Sequence, residues 1–158
     1  MCCVLASQMS QFEHTQKRRR RPKPDYRTRH TTLDPVSASR VRLMLERLVI
    51  AGLGLPGFAQ PNHPYEILPL TLPTRGGPTI ALARQVAMYL AHVGCALTLT
   101  ESGRLYGRDR TTAAHACTVV EDRRDNLVFD RVIELLEQTA RLRLFQIEPA
   151  IAVRLRRS

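Results

Sequence analysis

Residues 99–124, LTESGRLYGRDRTTAAHACTVVEDRR, decide the fold. Thr98 just before them, with Glu101 three residues on, has the spacing of a capping box and predicts a helix start. Gly107 marks a tight turn, because a residue without Cβ takes positive φ at little cost. Asp109 then stands where it can cap a second helix that opens on Arg110, Thr111 and Thr112. Two short helices joined by such a turn are the plan of a helix-turn-helix, whose second helix lies in the DNA major groove. Arg108, Asp109, Arg110, Thr111 and Thr112 are too hydrophilic for a core and well stocked with groups that hydrogen-bond base edges and phosphates. Behind them, Ala113, Ala116, Cys117 and Val120 share one helix face; Thr111, Ala114, His115, Thr118 and Asp122 share the other. The inner residues are small, which allows close packing against a preceding helix.

Working outward, apolar residues recur at helical spacing on both sides. Ile80, Arg84, Ala87, Met88, Ala91 and Cys95 predict a helix over 80–95, weakened at its end by Gly94. After a break at Asp125-Asn126, the stripe Phe129, Val132, Ile133, Leu136 and Ala140 predicts another over 127–145, with Glu137 and Arg141 as an i,i+4 pair and Pro149 beyond it. Asp34-Pro35 is a helix-start signal, followed by Val41, Met44, Leu45, Leu48 and Val49 and closed by Gly52 and Gly54. These two outer stripes are expected to be core, with a docking face as the alternative. Residues 52–79 carry too many Pro and Gly for one regular element and form either an ordered loop or a linker. The expectation is an all-α protein, a helix-turn-helix bundle with a disordered basic N-terminal tail. Its parts are a tail over 1–33, a helix over 34–51, a linker over 52–79, the helix-turn-helix domain with its C-terminal helix over 80–146, and a basic end over 147–158.

The chain of 158 residues has 24 Lys and Arg against 14 Asp and Glu, a formal net charge of +10 that calls for a polyanionic partner. Much of the excess sits in Lys17, Arg18, Arg19, Arg20 and Arg21, with Lys23, Arg27 and Arg29 close behind. Such a run is unfolded when free, yet would add affinity for DNA by releasing counterions. Aromatic content of 5% and the absence of Trp argue against stacking single strands. No apolar run reaches the ~18 residues of a membrane span, and the first six residues make a poor signal peptide. Cys2, Cys3, Cys95 and Cys117 form no C-x-x-C pair, so no metal is expected, and their use fits a reducing cytoplasm. No nucleophile–base pair or phosphate-binding loop is visible, so neither an enzyme nor a cofactor or small-molecule ligand is expected.

The residues Arg84-Gln85-x-Ala87-Met88-x-Leu90, and then TLTESGRLYGRDRTTAAHAC, resemble the C-terminal duplex-binding domain of DnaA, the bacterial replication initiator. That family's pattern runs Arg-Gln-x-Ala-Met-x-Leu, Ser-Leu-x-x-Ile-Gly, Gly-Gly-Arg-Asp-His-Thr-Thr-Val-x-His-Ala. The likeness covers about residues 80–125. It departs where one Gly of the Gly-Gly pair is missing, where Ser102 replaces Ile, and where Arg110 replaces a base-reading His. It implies a sequence-specific reader of double-stranded DNA, here without an ATP switch. Carried over, Asp109 would accept from a cytosine amino group, and Thr111 and Thr112 would meet thymine methyls or phosphates. Arg108 and the pair Arg84 and Gln85 would lie at the backbone, His115 at a phosphate or base edge, and Thr98, at the start of the motif, is expected among the DNA-binding residues too. Arg75 matches the family's minor-groove arm weakly. Stand-alone proteins of this kind in alphaproteobacteria include some similar to gene transfer agent activators. The implied role is a cytoplasmic, nucleoid-associated transcriptional regulator, acting with RNA polymerase, a sigma-like factor or a second copy. A replication modulator on initiator boxes, or an adapter that has lost DNA binding, are the alternatives.

Overall fold

The computed structural model describes residues 33–54, 70–71 and 76–149. The expectations for residues 1–32, including Lys17, Arg18, Arg19, Arg20 and Arg21, for Arg75, and for 150–158 lie outside the described residues. Within them the chain is all-α: α1 (Pro35–Gly52), α2 (Pro78–Tyr89) running into a π-helical turn (Leu90–Gly94), α3 (Leu99–Arg104), α4 (Arg110–Arg123) and α5 (Leu127–Ile147).

The start of α1 follows from its first residues. The Asp34 carboxylate accepts the Val36 and Ser37 amides, both at 3.0 Å, and Pro35 occupies the first position, where its missing N–H costs nothing. Val41, Leu45 and Val49 are fully buried, and α1 packs on α5 and α2. Its stripe is therefore core, which removes the docking alternative for that helix. The stretch over 52–79 is not wholly a linker. Leu70 is fully buried, its carbonyl accepts from Arg84 Nε at 2.6 Å, and α2 already begins at Pro78.

The helix expected over 80–95 widens before it ends. The Cys95 amide reaches back five residues to the Leu90 carbonyl at 2.9 Å, and the Leu97 amide to the Ala91 carbonyl at 3.1 Å. Two contacts accompany the widening. Gly94 lies against α5, where a Cβ would come within 3.2 Å of the Ala140 Cβ. His92 is buried, with Nδ1 2.8 Å from the Leu97 carbonyl oxygen, and burial pushes its pKa down, favouring the neutral ring. Ala96 then takes φ of +51°, a left-handed conformation uncommon for a residue with a Cβ, and aims the chain into α3. α5 runs to Ile147, beyond the expected 145, and buries Ile133, Leu136, Ala140 and Leu144; Phe129 and Val132 pack at the edge.

Candidate nucleic-acid interface

The turn between α3 and α4 is built on close backbone contacts. The capping box at α3 is complete: the Glu101 amide donates to Thr98 Oγ1 at 3.2 Å, and the Thr98 amide to Glu101 Oε2 at 2.9 Å. Thr98 Oγ1 also donates to that carboxylate at 2.7 Å, so its proton and one lone pair are committed to the cap. Gly107 takes φ of +62°, as the turn requires. Gly103 matters as much. Its carbonyl accepts the Arg108 amide at 2.9 Å, and a Cβ there would lie 2.6 Å from the Asp109 carbonyl oxygen. Only a residue without a side chain lets the two segments approach so closely.

Past the turn, Asp109 Oδ1 accepts the Thr112 amide at 2.6 Å, which holds its pKa below the usual carboxylate value. An ionised carboxylate keeps further acceptor capacity, so the cap does not exhaust it. Asp109, Arg110, Thr111, His115 and Thr118 are exposed together at the N-terminal end and outer side of α4, with Arg108 and Thr112 half-buried beside them. Helix N-termini carry free amides and a positive dipole end, both suited to phosphate oxygens. The inner side is Ala113, Ala116 and Val120, all buried, and it packs on α2.

Two expected contact residues sit deeper. Gln85 is half-buried. Arg84 is 6% exposed, with Nε given to the Leu70 carbonyl; burial and then the nearby Arg108 charge lower its pKa.

A buried network, missed by pattern reading, locks the far end of α4 to α5. Arg124 Nε donates to Asp130 Oδ1 at 2.8 Å, and its Nη1 to Glu137 Oε1 at 2.5 Å and to the Tyr89 hydroxyl oxygen at 2.6 Å. The Tyr89 hydroxyl lies 2.9 Å from both Glu121 Oε1 and Glu137 Oε1. Burial works against the Arg124 charge, but the Tyr89 oxygen and the Asp130 and Glu137 carboxylates raise its pKa above the ordinary value. The available signal was two carboxylates, Asp130 and Glu137, seven residues apart on the apolar side of α5. The expected Glu137–Arg141 pair is present at 3.8 Å, but Arg124 is the stronger partner.

The cysteine thiols of Cys95 and Cys117 are free, and burial pushes each pKa up to about 12, as expected of small core residues. Among the described residues, no helix is long and apolar enough to cross a membrane.

No solved structure matches the chain. A family match does exist, over residues 74–120, to the bacterial dnaA protein helix-turn-helix. It spans α2, the π-helical turn, α3, the tight turn and most of α4, and leaves α1 and α5 outside. Family match and geometry together identify residues 74–120 as a DnaA-like helix-turn-helix, a DNA-binding domain.

Proposed function

We propose that this protein is a transcriptional regulator that binds specific double-stranded sites through α4, with RNA polymerase, a sigma-like factor or another protein as its effector. One observation carries the reading. The exposed tip of α4 presents Asp109, Arg110 and Thr111, with Thr112 beside them, on a helix whose start is capped and whose back is closely packed. Preorganised polar groups on a rigid helix are what base reading needs. Arg110 reads a guanine through O6 and N7, and Asp109 accepts from a cytosine amino group through its remaining lone pairs. Thr111 and Thr112 meet thymine methyls or phosphates. Arg108, Gln85 and His115 hold the backbone or a base edge. Arg84 works from below, bracing Leu70 and adding positive potential next to Arg108. Thr98 serves chiefly as the cap that orients α3. The basic run Lys17, Arg18, Arg19, Arg20 and Arg21 adds affinity for any duplex.

A genome-wide map of bound sites tests this reading, followed by binding of the recovered motif and of an initiator box as purified duplexes. Sites clustered at promoters, with a motif distinct from the initiator box, are the expected result. Binding confined to initiator boxes at an origin makes the protein a replication modulator instead. A map without any recurrent motif overturns sequence-specific binding.

A further inference from the structure

Leu70 and Thr71 stand ahead of residue 74, where the family match begins, yet the main chain there meets the helix-turn-helix at two points. Leu70 is fully buried, and its carbonyl oxygen accepts from Arg84 Nε on α2 at 2.6 Å. The next carbonyl oxygen, that of Thr71, lies against the tight turn between α3 and α4. A Cβ on Gly107 would stand 3.9 Å from it, in ordinary van der Waals contact. Two successive peptide units thus bridge α2 and the turn, one fastened to Arg84 and the other set beside Gly107.

This bridge bears on what Arg84 does. A buried carbonyl without a donor costs the desolvation of its oxygen, and a guanidinium supplies a charge-assisted bond instead. Arg84 is 6% exposed, so its side chain is closed in by protein. A cation that neutralises phosphates has to reach the surface, as the half-buried Arg108 and the exposed Arg110 do. Base reading requires geometry held to about half an ångström, whereas attraction to phosphates requires only charge. The two roles therefore come apart in solution.

We propose that Arg84 is a positioning residue. Through the main chain at Leu70 and Thr71 it sets the turn at Gly107, and with it the aim of Asp109 and Arg110, rather than holding a phosphate. The proposal rests on base reading by α4, and it adds two residues outside the family match to the DNA-reading unit.

The test uses the full chain with the duplex motif recovered from the bound-site map, its single-mismatch versions and a random duplex. Arg84→Met is expected to lose about tenfold or more on the matched duplex and to narrow the gap between matched and mismatched ones, because badly aimed base contacts are lost. On random duplex its slope of log K against log salt stays that of the parent. Leu70→Ala, which leaves every charge in place, gives the same pattern, and the double variant loses little beyond either single one. Should Arg84→Met fail to fold, Leu70→Ala carries the same comparison. Leu144→Ala, a truncation of a fully buried side chain on α5, leaves discrimination unchanged. Circular dichroism at the binding temperature checks that each variant is folded.

A slope shallower by about 0.9 with discrimination intact makes Arg84 a phosphate contact and overturns the proposal. So do additive losses in the double variant, and so does an equal loss of discrimination in Leu144→Ala, which would make Arg84 only a stabiliser of the core. A parent protein that does not distinguish matched from mismatched duplexes overturns base reading and this proposal with it. A discriminating parent with an equally discriminating Arg84→Met variant overturns this proposal alone.

Discussion

At Asp109 a single carboxylate holds two assignments, helix cap and candidate base reader, and substitutions separate them. Asn caps as well as Asp but carries no charge. Asp109→Asn is therefore expected to keep stability and to lose about 1–3 kcal/mol at one base pair of the specific site. Asp109→Ala adds about 1 kcal/mol of lost capping. Arg110→Ala is expected to relax specificity at one position by a similar 1–3 kcal/mol, with little effect on random duplex. Titrations of matched and single-mismatch duplexes check both; an equal loss on all duplexes would mean that neither residue reads bases. Gly103 shows the opposite kind of constraint, purely steric. A Cβ there meets the carbonyl oxygens of Asp109 and Arg108 at 2.6 and 2.7 Å, and backbone atoms cannot swing away. Gly103→Ala should cost about 1–3 kcal/mol in chemical denaturation and weaken specific DNA binding, because the α3–α4 angle must open.

Helix pairs in this fold are held by different forces. α4 meets α2 through small side chains, whereas the junction of α4 with α5 depends on Arg124 and its carboxylates. The side chains of Asp130 and Glu137 are 3% and 5% exposed, so removing Arg124 takes a close counter-charge from two carboxylates in low dielectric. Arg124→Ala should destabilise by about 3–5 kcal/mol. Replacing the ionic groups together, as Arg124→Met with Asp130→Leu and Glu137→Met, should recover most of that loss, since an apolar substitute carries no desolvation cost. Urea denaturation of the single and triple variants measures it. A triple variant no better than the single one would show that geometry, rather than charge, makes this junction.

Over the molecule as a whole, charge governs behaviour in two ways. The first concerns the core. Among the described residues, both carboxylate oxygens of Glu46 are buried without a hydrogen-bond partner, and so is the hydroxyl of Tyr106. Burial, partly offset by Arg42, raises the Glu46 pKa from 4.5 to about 7. Between those values the folded chain binds more protons than the unfolded one, so stability falls as pH rises. The slope approaches about 1.4 kcal/mol per pH unit. This contribution is full below the unfolded pKa, is lost as pH passes through the folded one, and is absent above it. Glu46→Gln should flatten that limb, read as the difference between variant and parent denaturation curves below and above the window. The second concerns solvent. Deleting residues 1–33 should weaken binding to every duplex and flatten its salt dependence, by roughly 0.9 in the log–log slope for each phosphate that the tail had neutralised. An unchanged slope would assign the basic run to another partner.

Local chemistry made much of this protein readable before any fold was in view. The caps Asp34, Thr98 with Glu101, and Asp109 act within three residues of chain, as does the left-handed turn at Gly107, so neighbours alone dictate them. Apolar period revealed the helices, and the spacing around the turn revealed the helix-turn-helix, because both depend on which side chains share a face. Other features needed distant segments to meet. The π-helical turn lies where Gly94 comes against Ala140, and Arg84 is buried where its side chain meets Leu70. Gly103 had a neighbour at Asp109 but no signal of how closely the backbones pass. The Arg124 network joins Tyr89, Asp130 and Glu137 from separate helices. Whether an apolar stripe is core or surface was likewise settled by packing: α1 buries Val41, Leu45 and Val49 as it packs on α5 and α2, and α5 buries Ile133, Leu136, Ala140 and Leu144.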